Sequence, residues 1–315
     1  MQAKILANLN RTVSKFSHVK YQTGSVNRDQ ILDNLFESGY CLYRDTNLQN
    51  DLLINDNSTI DTLQYALFGD NYKEKLMGYE VGTDSRDKLN EGSPLLSVSK
   101  ISHSHWVPYH NELLYTNEFP QIIAFICVKN QCKFGGHTPF TNTIDIYYHL
   151  PSVMRNKFDR FGITYIRNLR DRQAEQCITN NLLDLGGQKF MQDVFGTNDR
   201  NEIELLCAYY GYEYEWNLCQ MNQTPILRIK YVTPAVVEYQ FGKNIVRSFA
   251  NSVTGMNGRY FTNYNDYYER LEYIDRPFHS QWGNGDEFTD EEYELIEQKQ
   301  YENSIRFEWK DGDIF

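Results

Sequence analysis

The amino-acid sequence predicts a mainly β domain, a β-sandwich or jelly roll with helices on its outside. Residues 121–128 form an almost entirely apolar run, which is typical of a strand buried on both faces. Strand and helix patterns alternate along the chain, but the helices are few, so they are interpreted as insertions in a β fold. No glycine-rich nucleotide-binding motif follows a predicted strand, which argues against a doubly wound sheet and against nucleotide chemistry.

The first half of the chain contains two predicted helices. Residues 28–37 place their apolar side chains on one face, and Gly39 is suited to end that helix. A strand over residues 40–44 is predicted to follow. Pro151 is suited to open the second helix, which has apolar residues at helical spacing and ends at Gly162.

Two more helices are predicted in the second half of the chain. One spans residues 200–210, where Asp199 and Glu202 have the spacing of a capping box. The other spans residues 290–301 and begins after Thr289, a favourable N-cap residue. Short segments rich in β-branched and aromatic residues predict strands around these helices. Together with the apolar run, the predicted strands are 121–128, 163–167, 226–232, 236–239, 245–249 and 305–309.

The length allows one large domain or two ordinary ones, and the lack of internal repeats and of Pro/Ser-rich linkers favours a single domain over residues 1–315. The 37.2 kDa chain is 41% hydrophobic and 15% aromatic, which excludes intrinsic disorder. The longest apolar run, residues 122–128, is far shorter than the roughly 18 residues that a membrane span needs. The first residues lack the apolar core and the cleavage site of a secretory leader. We therefore expect a cytoplasmic protein without a membrane partner.

Charge argues against a nucleic-acid partner, and the cysteine spacing argues against a disulfide framework or a zinc site. The formal net charge is −11, and residues 286–302 hold eight acidic side chains against one lysine. Because nucleic-acid binding depends on a basic surface, no nucleic-acid partner is expected, and the acidic segment is interpreted as a solvated helix face. Six cysteines at irregular spacings indicate reduced, mostly buried thiols and argue against a disulfide framework or a zinc site.

One short motif carries the candidate chemistry. Residues two apart in an extended segment project to the same side, so His110 and Glu112 can occupy adjacent positions on one metal ion. Such a pair is two thirds of the facial triad that holds non-haem Fe(II). The motif alone is weak, because 7 His and 42 acidic residues make one His-x-acid pair expected by chance. A structural hydrogen-bonded pair is the alternative interpretation.

The neighbouring segments add specificity to this motif. Phe119-Pro120 and the apolar run follow it, and the sequence GGHTPF comes next. The paired glycines permit a tight turn. Thr138 in this segment offers a hydroxyl that could hydrogen-bond an anionic ligand, or it is only a turn residue.

Three further polar residues are weaker candidates. Asn251 follows the predicted strand 245–249 and could face a substrate. His103 and His105 form a His-x-His pair, but the spacing to Glu112 is long for a shared metal site. They are interpreted as pocket-wall or core residues.

Eight segments occur in an order that resembles a known enzyme family. They are PYHNELLY, FPQIIAFICV, GGHTPFTN, DIYYHL, FGITYIRN, VFGTNDRNEIELLC, TPAVVEY and WGNGDEFTDEEYELIEQKQYENSIRFEWKDGD. In this order they resemble the TauD/TfdA-type Fe(II)/2-oxoglutarate-dependent dioxygenases of the clavaminate-synthase-like superfamily. The resemblance covers about residues 90–315, and GYCLYRD is a weaker match to the family's early strand.

The resemblance implies a fold, two cofactors and a reaction. The fold is a double-stranded β-helix, the cofactors are Fe(II) and 2-oxoglutarate, and the reaction hydroxylates an unactivated carbon of a small molecule. By this resemblance His110 and Glu112 are the catalytic iron ligands, and Thr138 contacts 2-oxoglutarate. Glu112 stands where Asp is more common, as in the branch that hydroxylates amino acids. An amino-acid-like substrate, free or bound to a carrier protein, is therefore expected.

Part of the family pattern has no match in this chain. The family's third iron ligand, a His, and an Arg that binds 2-oxoglutarate follow the segment that matches residues 309–313, and this chain ends at Phe315. His279 is a conceivable stand-in, but a surface or locally bonded His in a loop is the favoured interpretation. The domain is therefore expected to lack the family's final strands. The alternative function is an inactive relative that binds a ligand or a partner.

Overall fold

A computed structural model of the chain describes residues 21–23, 28–44, 46, 61, 64–65, 86–88, 95–98, 107–132, 136–173, 190–219, 223–241, 243–249, 253 and 276–315. Its elements are, in chain order, β1 (Gln22–Thr23), α1 (Arg28–Ser38), β2 (Tyr43–Arg44), α2 (Thr143–His149), α3 (Ser152–Phe161), β3 (Ile163–Arg170), α4 (Met191–Phe195), α5 (Arg200–Tyr209), β4 (Glu213–Leu218), β5 (Pro225–Thr233), β6 (Val236–Phe241), β7 (Asn244–Phe249), β8 (Phe278–Trp282) and α6 (Asp290–Glu302). The described fold is thus built of sheets with helices beside them.

A four-stranded antiparallel sheet, in the order β4-β5-β3-β8, forms the centre of the described fold. β3 lies between β5 and β8, and all 8 of its residues are buried. Its first residue, Ile163, pairs with Thr233 on one side and with Trp282 on the other. Because strands satisfy the backbone of β3 on both edges, its apolar side chains can fill both faces of the sheet.

Two smaller sheets accompany the central one. β6 and β7 form an antiparallel hairpin in which Val236 pairs with Phe249. β1 and β2 are parallel. Next to β2, Ile314 exchanges two backbone hydrogen bonds with Tyr43, and Phe315 exchanges two with Phe125. The last residues therefore connect β2 with the segment 122–128.

Two large hydrophobic clusters hold most of these elements together, and a third, small one packs Ile31, Tyr43 and Ile314 against one another. The larger lies between α2, α3, α6 and the strands β3 and β8. At its centre, Phe158 and Phe288 pack on the Trp282 ring with centroid distances of 4.5 and 4.2 Å. The smaller cluster contains Ile203 and Cys207 of α5 and covers one face of β5. Large aromatic side chains thus supply much of the apolar surface that the fold buries.

The predicted helix ends are confirmed. Gly39 and Gly162 follow α1 and α3 with φ of 75° and 69°. The Asp199 carboxylate caps α5 by accepting two backbone hydrogen bonds. The predicted capping box with Glu202 is wrong, because the Asp199 N–H donates to Thr197 Oγ1, and that hydroxyl donates to Glu202. Thr289 and Glu292 form a reciprocal capping box at the start of α6. The predicted strands 163–167, 226–232, 236–239 and 245–249 are confirmed as parts of β3, β5, β6 and β7.

The prediction that residues 121–128 form a central strand buried on both faces is wrong. Ile123 is 40% exposed, and the segment belongs to none of the named strands. Phe125 and Cys127 pair through their backbones with residues 312–315. Apolar composition predicts a preference for burial but does not say which layer covers a segment, and these described neighbours lie along one edge.

The predicted strand 305–309 is also wrong. Ile305 makes a single ladder contact, with Phe140. Beyond it, the Phe307 and Trp309 rings pack on each other with centroids 4.7 Å apart. The β-branched and aromatic composition of this segment predicted a ladder of backbone hydrogen bonds. Contacts between aromatic rings hold the segment instead. The predicted strand 40–44 is shorter than expected, since β2 contains two residues.

Three strands were not predicted: the two-residue β1 and the longer β4 and β8. β4 is an edge strand with a mostly exposed, polar face. β8 has polar residues at its centre, and they are buried because hydrogen bonds satisfy them; Ser280, for example, donates to the Val253 carbonyl at 2.9 Å. No helix in the described ranges is long and apolar enough to cross a membrane.

Candidate active site

The segment that carries His110 and Glu112 leads into a tight turn anchored in the larger core. Leu113 has a φ of 55°, in the left-handed region that residues other than glycine rarely adopt. Leu113 and the two residues after it are buried. The Thr116 hydroxyl donates to the Leu113 carbonyl at 2.8 Å, which closes the turn. The core therefore fixes the backbone immediately after Glu112.

A backbone carbonyl orients the His110 ring. Its Nδ1 lies 2.7 Å from the carbonyl oxygen of Pro108. Since a carbonyl can only accept, this contact requires the proton on Nδ1, and Nε2 of the neutral ring then carries a lone pair. Metal-binding histidines are typically oriented in this way, with the second ring nitrogen donating to a carbonyl or a carboxylate.

Glu112 faces that lone pair. Its Oε2 lies 3.9 Å from His110 Nε2, which is too long for a hydrogen bond. With the neutral ring both atoms are acceptors, and both are atom types that bind a metal cation. Two ligand atoms that each lie about 2.1 Å from one metal ion, at right angles to each other, are about 3 Å apart. His110 Nε2 and Glu112 Oε2 therefore have to approach each other by about 1 Å to bind the same ion. The structure thus brings His110 and Glu112 to the same side.

A cationic side chain already lies beside Glu112. Arg86 Nη2 is 3.5 Å from Glu112 Oε2, and the two side chains are only 14% and 15% exposed. Arg86 Nη1 also approaches the Ser97 carbonyl at 3.5 Å. Arg86 was not predicted as a site residue, because no local pattern connects it with a motif so far along the chain.

Asn111, between the two candidate ligands, links them to β7. Its side-chain amide donates to Ser248 Oγ at 3.4 Å. Ser248 shares a 2.9 Å hydrogen bond with the hydroxyl of Thr143, the first residue of α2. Two contacts therefore hold the motif: Asn111 bonds to the β6–β7 hairpin, and Leu113 packs in the core.

Thr138 has a defined hydrogen-bond partner. Trp309 Nε1 donates to Thr138 Oγ1 at 3.0 Å. Because the hydroxyl oxygen accepts this bond, its hydrogen can be donated to an acceptor such as a carboxylate. Two residues further on, Phe140 exchanges two backbone hydrogen bonds with Ile305. These contacts place Thr138 alongside the segment 304–309.

The same segment runs beside the residue that precedes His110. Tyr109 is half-buried, and burial raises the pKa of its phenol, while hydrogen bonding to Ser304 and the charge of Arg306 act in the opposite direction. Residues 304–309 thus contact both the chain around Thr138 and the chain around His110. They connect the two parts of the candidate site.

His279 lies on β8, and among the described residues it forms no metal-binding group with His110 and Glu112. Its Nε2 is 2.6 Å from Glu287 Oε2, and the imidazole is 7% exposed. Burial tends to raise the pKa of Glu287, but hydrogen bonds from His279 and Gln281 bring it below its ordinary value. The expected local bonding is confirmed. The expected surface loop is wrong, because β8 is a buried strand of the central sheet.

Three candidate residues, Asn251, His103 and His105, lie outside the described residues. Among the residues that are described, no group of three or more His, Cys, Asp or Glu side chains could hold a metal ion. Of the predicted iron ligands, the described part of the chain places the imidazole of His110 and the carboxylate of Glu112 within 3.9 Å of each other. Both are ligand types of the non-haem Fe(II) triad, so their chemistry fits a ferrous ion.

Comparison with known proteins agrees with this chemistry. A family model described as "Taurine catabolism dioxygenase TauD, TfdA family" matches residues 15–315, which is nearly the whole chain. The search of curated proteins found no match. Members of the matching family use Fe(II) and 2-oxoglutarate. The chain belongs to the TauD/TfdA family of dioxygenases.

Proposed function

We propose that this dioxygenase hydroxylates an amino-acid-like substrate, free or bound to a carrier protein, with Fe(II) held by His110 and Glu112. The arrangement of His110 and Glu112 supports the proposal most directly. The Pro108 carbonyl orients the His110 imidazole, and Nε2 of this ring lies 3.9 Å from the Glu112 carboxylate. An imidazole and a carboxylate are two of the three ligands in the facial triad. The use of Glu as the carboxylate resembles the branch that hydroxylates amino acids.

The side chains of the site have separate tasks in this proposal. Bound Fe(II) supplies the redox chemistry that couples oxidation of 2-oxoglutarate to hydroxylation. The Pro108 carbonyl keeps the proton on Nδ1 of His110, so that Nε2 stays available as a ligand. Trp309 holds the Thr138 hydroxyl so that its hydrogen can be donated to a carboxylate of 2-oxoglutarate. Asn251 is assigned to the substrate side of the site.

The proposal includes the fold and the domain organisation. Residues 1–315 are taken as one domain with the double-stranded β-helix of the family. The four-stranded antiparallel sheet, the β6–β7 hairpin and the pairing of residues 312–315 with Phe125 and Cys127 support it, because a jelly roll is assembled from such antiparallel pairs.

Succinate release from 2-oxoglutarate tests the reaction and its substrate class. The assay contains Fe(II) and compares free L-amino acids, the same amino acids on a carrier protein, and taurine. An amino acid in one of the two forms is expected to stimulate succinate release. Stimulation by taurine alone contradicts the substrate class. Binding of 2-oxoglutarate without succinate from any substrate favours the inactive ligand-binding relative.

Two substitutions test the role of Thr138 in the same assay. Thr138→Val removes the hydroxyl, so the KM for 2-oxoglutarate should rise about tenfold or more, as expected for a lost hydrogen bond to a charged group worth about 1.5–3 kcal/mol. Thr138→Ser keeps the hydroxyl and is the matched control, with a KM close to that of the native protein. An unchanged KM in Thr138→Val assigns Thr138 to the turn alone.

A further inference from the structure

The ion pair between Arg86 and Glu112 occupies the oxygen that the metal site needs. Arg86 Nη2 lies 3.5 Å from Oε2 of Glu112, and the same oxygen is the one that faces His110 Nε2 at 3.9 Å. One carboxylate oxygen is therefore shared by a guanidinium and by the position where a metal ion would bind. A dication at that position lies within a few ångströms of the guanidinium charge.

The protein holds Arg86 in this position through a short antiparallel pairing. The Ser97 N–H donates to the Asp87 carbonyl at 2.8 Å, and the Asp87 N–H donates to Ser97 Oγ at 3.1 Å. Lys88 and Leu96 form the next bridge of this ladder. Because the backbone of residues 87 and 88 is paired in this way, the fold fixes the chain next to Arg86, whose guanidinium lies 3.5 Å from Glu112.

The low exposure of Arg86 and Glu112 strengthens the interaction between their charges. Both side chains are about 85% withdrawn from water, at 14% and 15% exposure. A carboxylate in such surroundings is stabilised by a counter-charge. Arg86 supplies that charge while the metal is absent. When a metal ion binds, the Glu112 carboxylate interacts with the ion. The metal ion and the Arg86 guanidinium then lie close together and repel each other.

We infer that Arg86 is a positioning residue that competes with the metal for Glu112: it holds the carboxylate in the metal-free protein and weakens metal binding. The inference rests on the proposed function, because it requires the metal to bind at His110 and Glu112. It assigns a role to a residue that donates no ligand atom. It also predicts an unusual result, a tighter metal site after loss of a partly buried ion pair.

Titration with Mn(II), which binds carboxylate and imidazole ligands and is stable in air, tests this inference without any assay of activity. Arg86→Gln removes the charge, so it should bind Mn(II) at least tenfold more tightly than the native protein, equivalent to about 1.4 kcal/mol. Its Tm without metal should be lower than that of the native protein, and saturating Mn(II) should restore most of the difference. A purely structural role lowers the Tm without tightening the metal site.

Two further variants complete the design. Arg86→Lys keeps the charge on a flexible stem that lacks the planar fork, so its affinity for Mn(II) should lie between those of the native protein and Arg86→Gln. It also serves as the test if Arg86→Gln does not fold. Arg200→Gln removes an exposed i,i+4 partner of Glu204 on α5 and should leave the affinity unchanged.

The possible results separate this inference from the proposed function. Equal or weaker Mn(II) binding by Arg86→Gln, or by Arg86→Lys where only that variant folds, overturns the competition while the proposed metal site stands. Absence of Mn(II) binding from the native protein and from both Arg86 variants overturns the metal site and the competition together. Binding by the Arg86 variants but not by the native protein supports the competition in its strongest form.

Discussion

At the scale of single residues, the turn after Glu112 combines backbone strain with burial. Leu113 has a φ of 55° and is 1% exposed. Residues other than glycine in this region cost about 1–3 kcal/mol, and they persist when the surrounding packing demands them. The buried side chain of Leu113 therefore offsets the strain of its backbone, and it does so one residue from a candidate metal ligand.

Paired substitutions at Leu113 separate these two contributions. Leu113→Ala loses the buried side chain and keeps the strain, so it should destabilise the protein by about 2–5 kcal/mol. Leu113→Gly also relieves the strain and should be equally or more stable than Leu113→Ala. Leu114 is buried without a positive φ, and there glycine should be about 0.5–1 kcal/mol worse than alanine. Urea unfolding measures all four variants; the same order at both positions contradicts strain at Leu113.

The Glu287 carboxylate links stability to pH. Burial tends to raise its pKa, but the hydrogen bonds from His279 and Gln281 leave the pKa below the ordinary value for Glu. A lowered pKa means that the ionised form favours the folded state, so this contribution is present at neutral pH and is lost as the pH falls below about 4.3. Glu287→Gln should therefore be less stable than the native protein at pH 7, and the difference should shrink in acid.

Thermal unfolding of both proteins across this range of pH measures the difference. Glu213→Gln, at an exposed position on β4, is the control and should follow the native curve throughout. A difference between the native protein and Glu287→Gln that stays constant from pH 7 to acid contradicts the stabilising role of the ionised pair.

At the scale of elements, the junction between α3 and β3 depends on close backbone approach. Gly162 has a φ of 69°, and a Cβ there would lie 2.4 Å from the Thr233 carbonyl oxygen. Gly196, after α4, has the same φ of 69°, but a Cβ there would meet nothing within 4 Å. The two glycines therefore share a conformational requirement and differ in the space around them.

Alanine substitutions at these glycines should differ accordingly. Gly196→Ala should cost about 1–2 kcal/mol, the usual penalty for an L-residue in the left-handed region. Gly162→Ala should cost clearly more, because β5 must also move away from the start of β3. Urea unfolding gives both values, and equal costs contradict the close approach at Gly162.

Prediction from sequence worked best where the cause of an element is local. Gly39, Gly162, Asp199 and Thr289 were identified as helix ends because capping depends on residues within one turn. β8 was missed because its polar centre is stabilised by distant partners, and no local pattern reveals them. Its Ser280, for example, bonds to Val253.

At the scale of the whole molecule, the described core is organised around β3 and not around the apolar run 121–128. Ile163, the first residue of β3, is completely buried, whereas Ile123 is 40% exposed. Ile123→Asp should therefore change the free energy of unfolding by less than about 1 kcal/mol, whereas Ile163→Asp buries an unpaired charge and should cost several kcal/mol. Unfolding of both variants by urea decides between the two arrangements, because a severe loss in Ile123→Asp would place the apolar run in the core after all.

The candidate site was predictable in part, for a related physical reason. The spacing of His110 and Glu112 is a property of two neighbouring residues, and the structure brings their side chains to 3.9 Å. Arg86 reaches Glu112 through the three-dimensional arrangement of a separate short ladder, so composition and spacing contain no signal for it. Trp309 was noticed only as part of a segment, and its bond to Thr138 depends equally on the fold.

The central claim is that His110 and Glu112 hold Fe(II), and anaerobic measurement of bound Fe(II) tests it most directly. Native protein is compared with His110→Ala, Glu112→Ala and the control His149→Ala. His149 is a matched control because it is exposed and its Nδ1 also lies 2.7 Å from a backbone carbonyl, that of Asp145. Bound Fe(II) should be lost from the first two variants and kept by His149→Ala. Fe(II) stoichiometry unchanged in both His110→Ala and Glu112→Ala contradicts the claim.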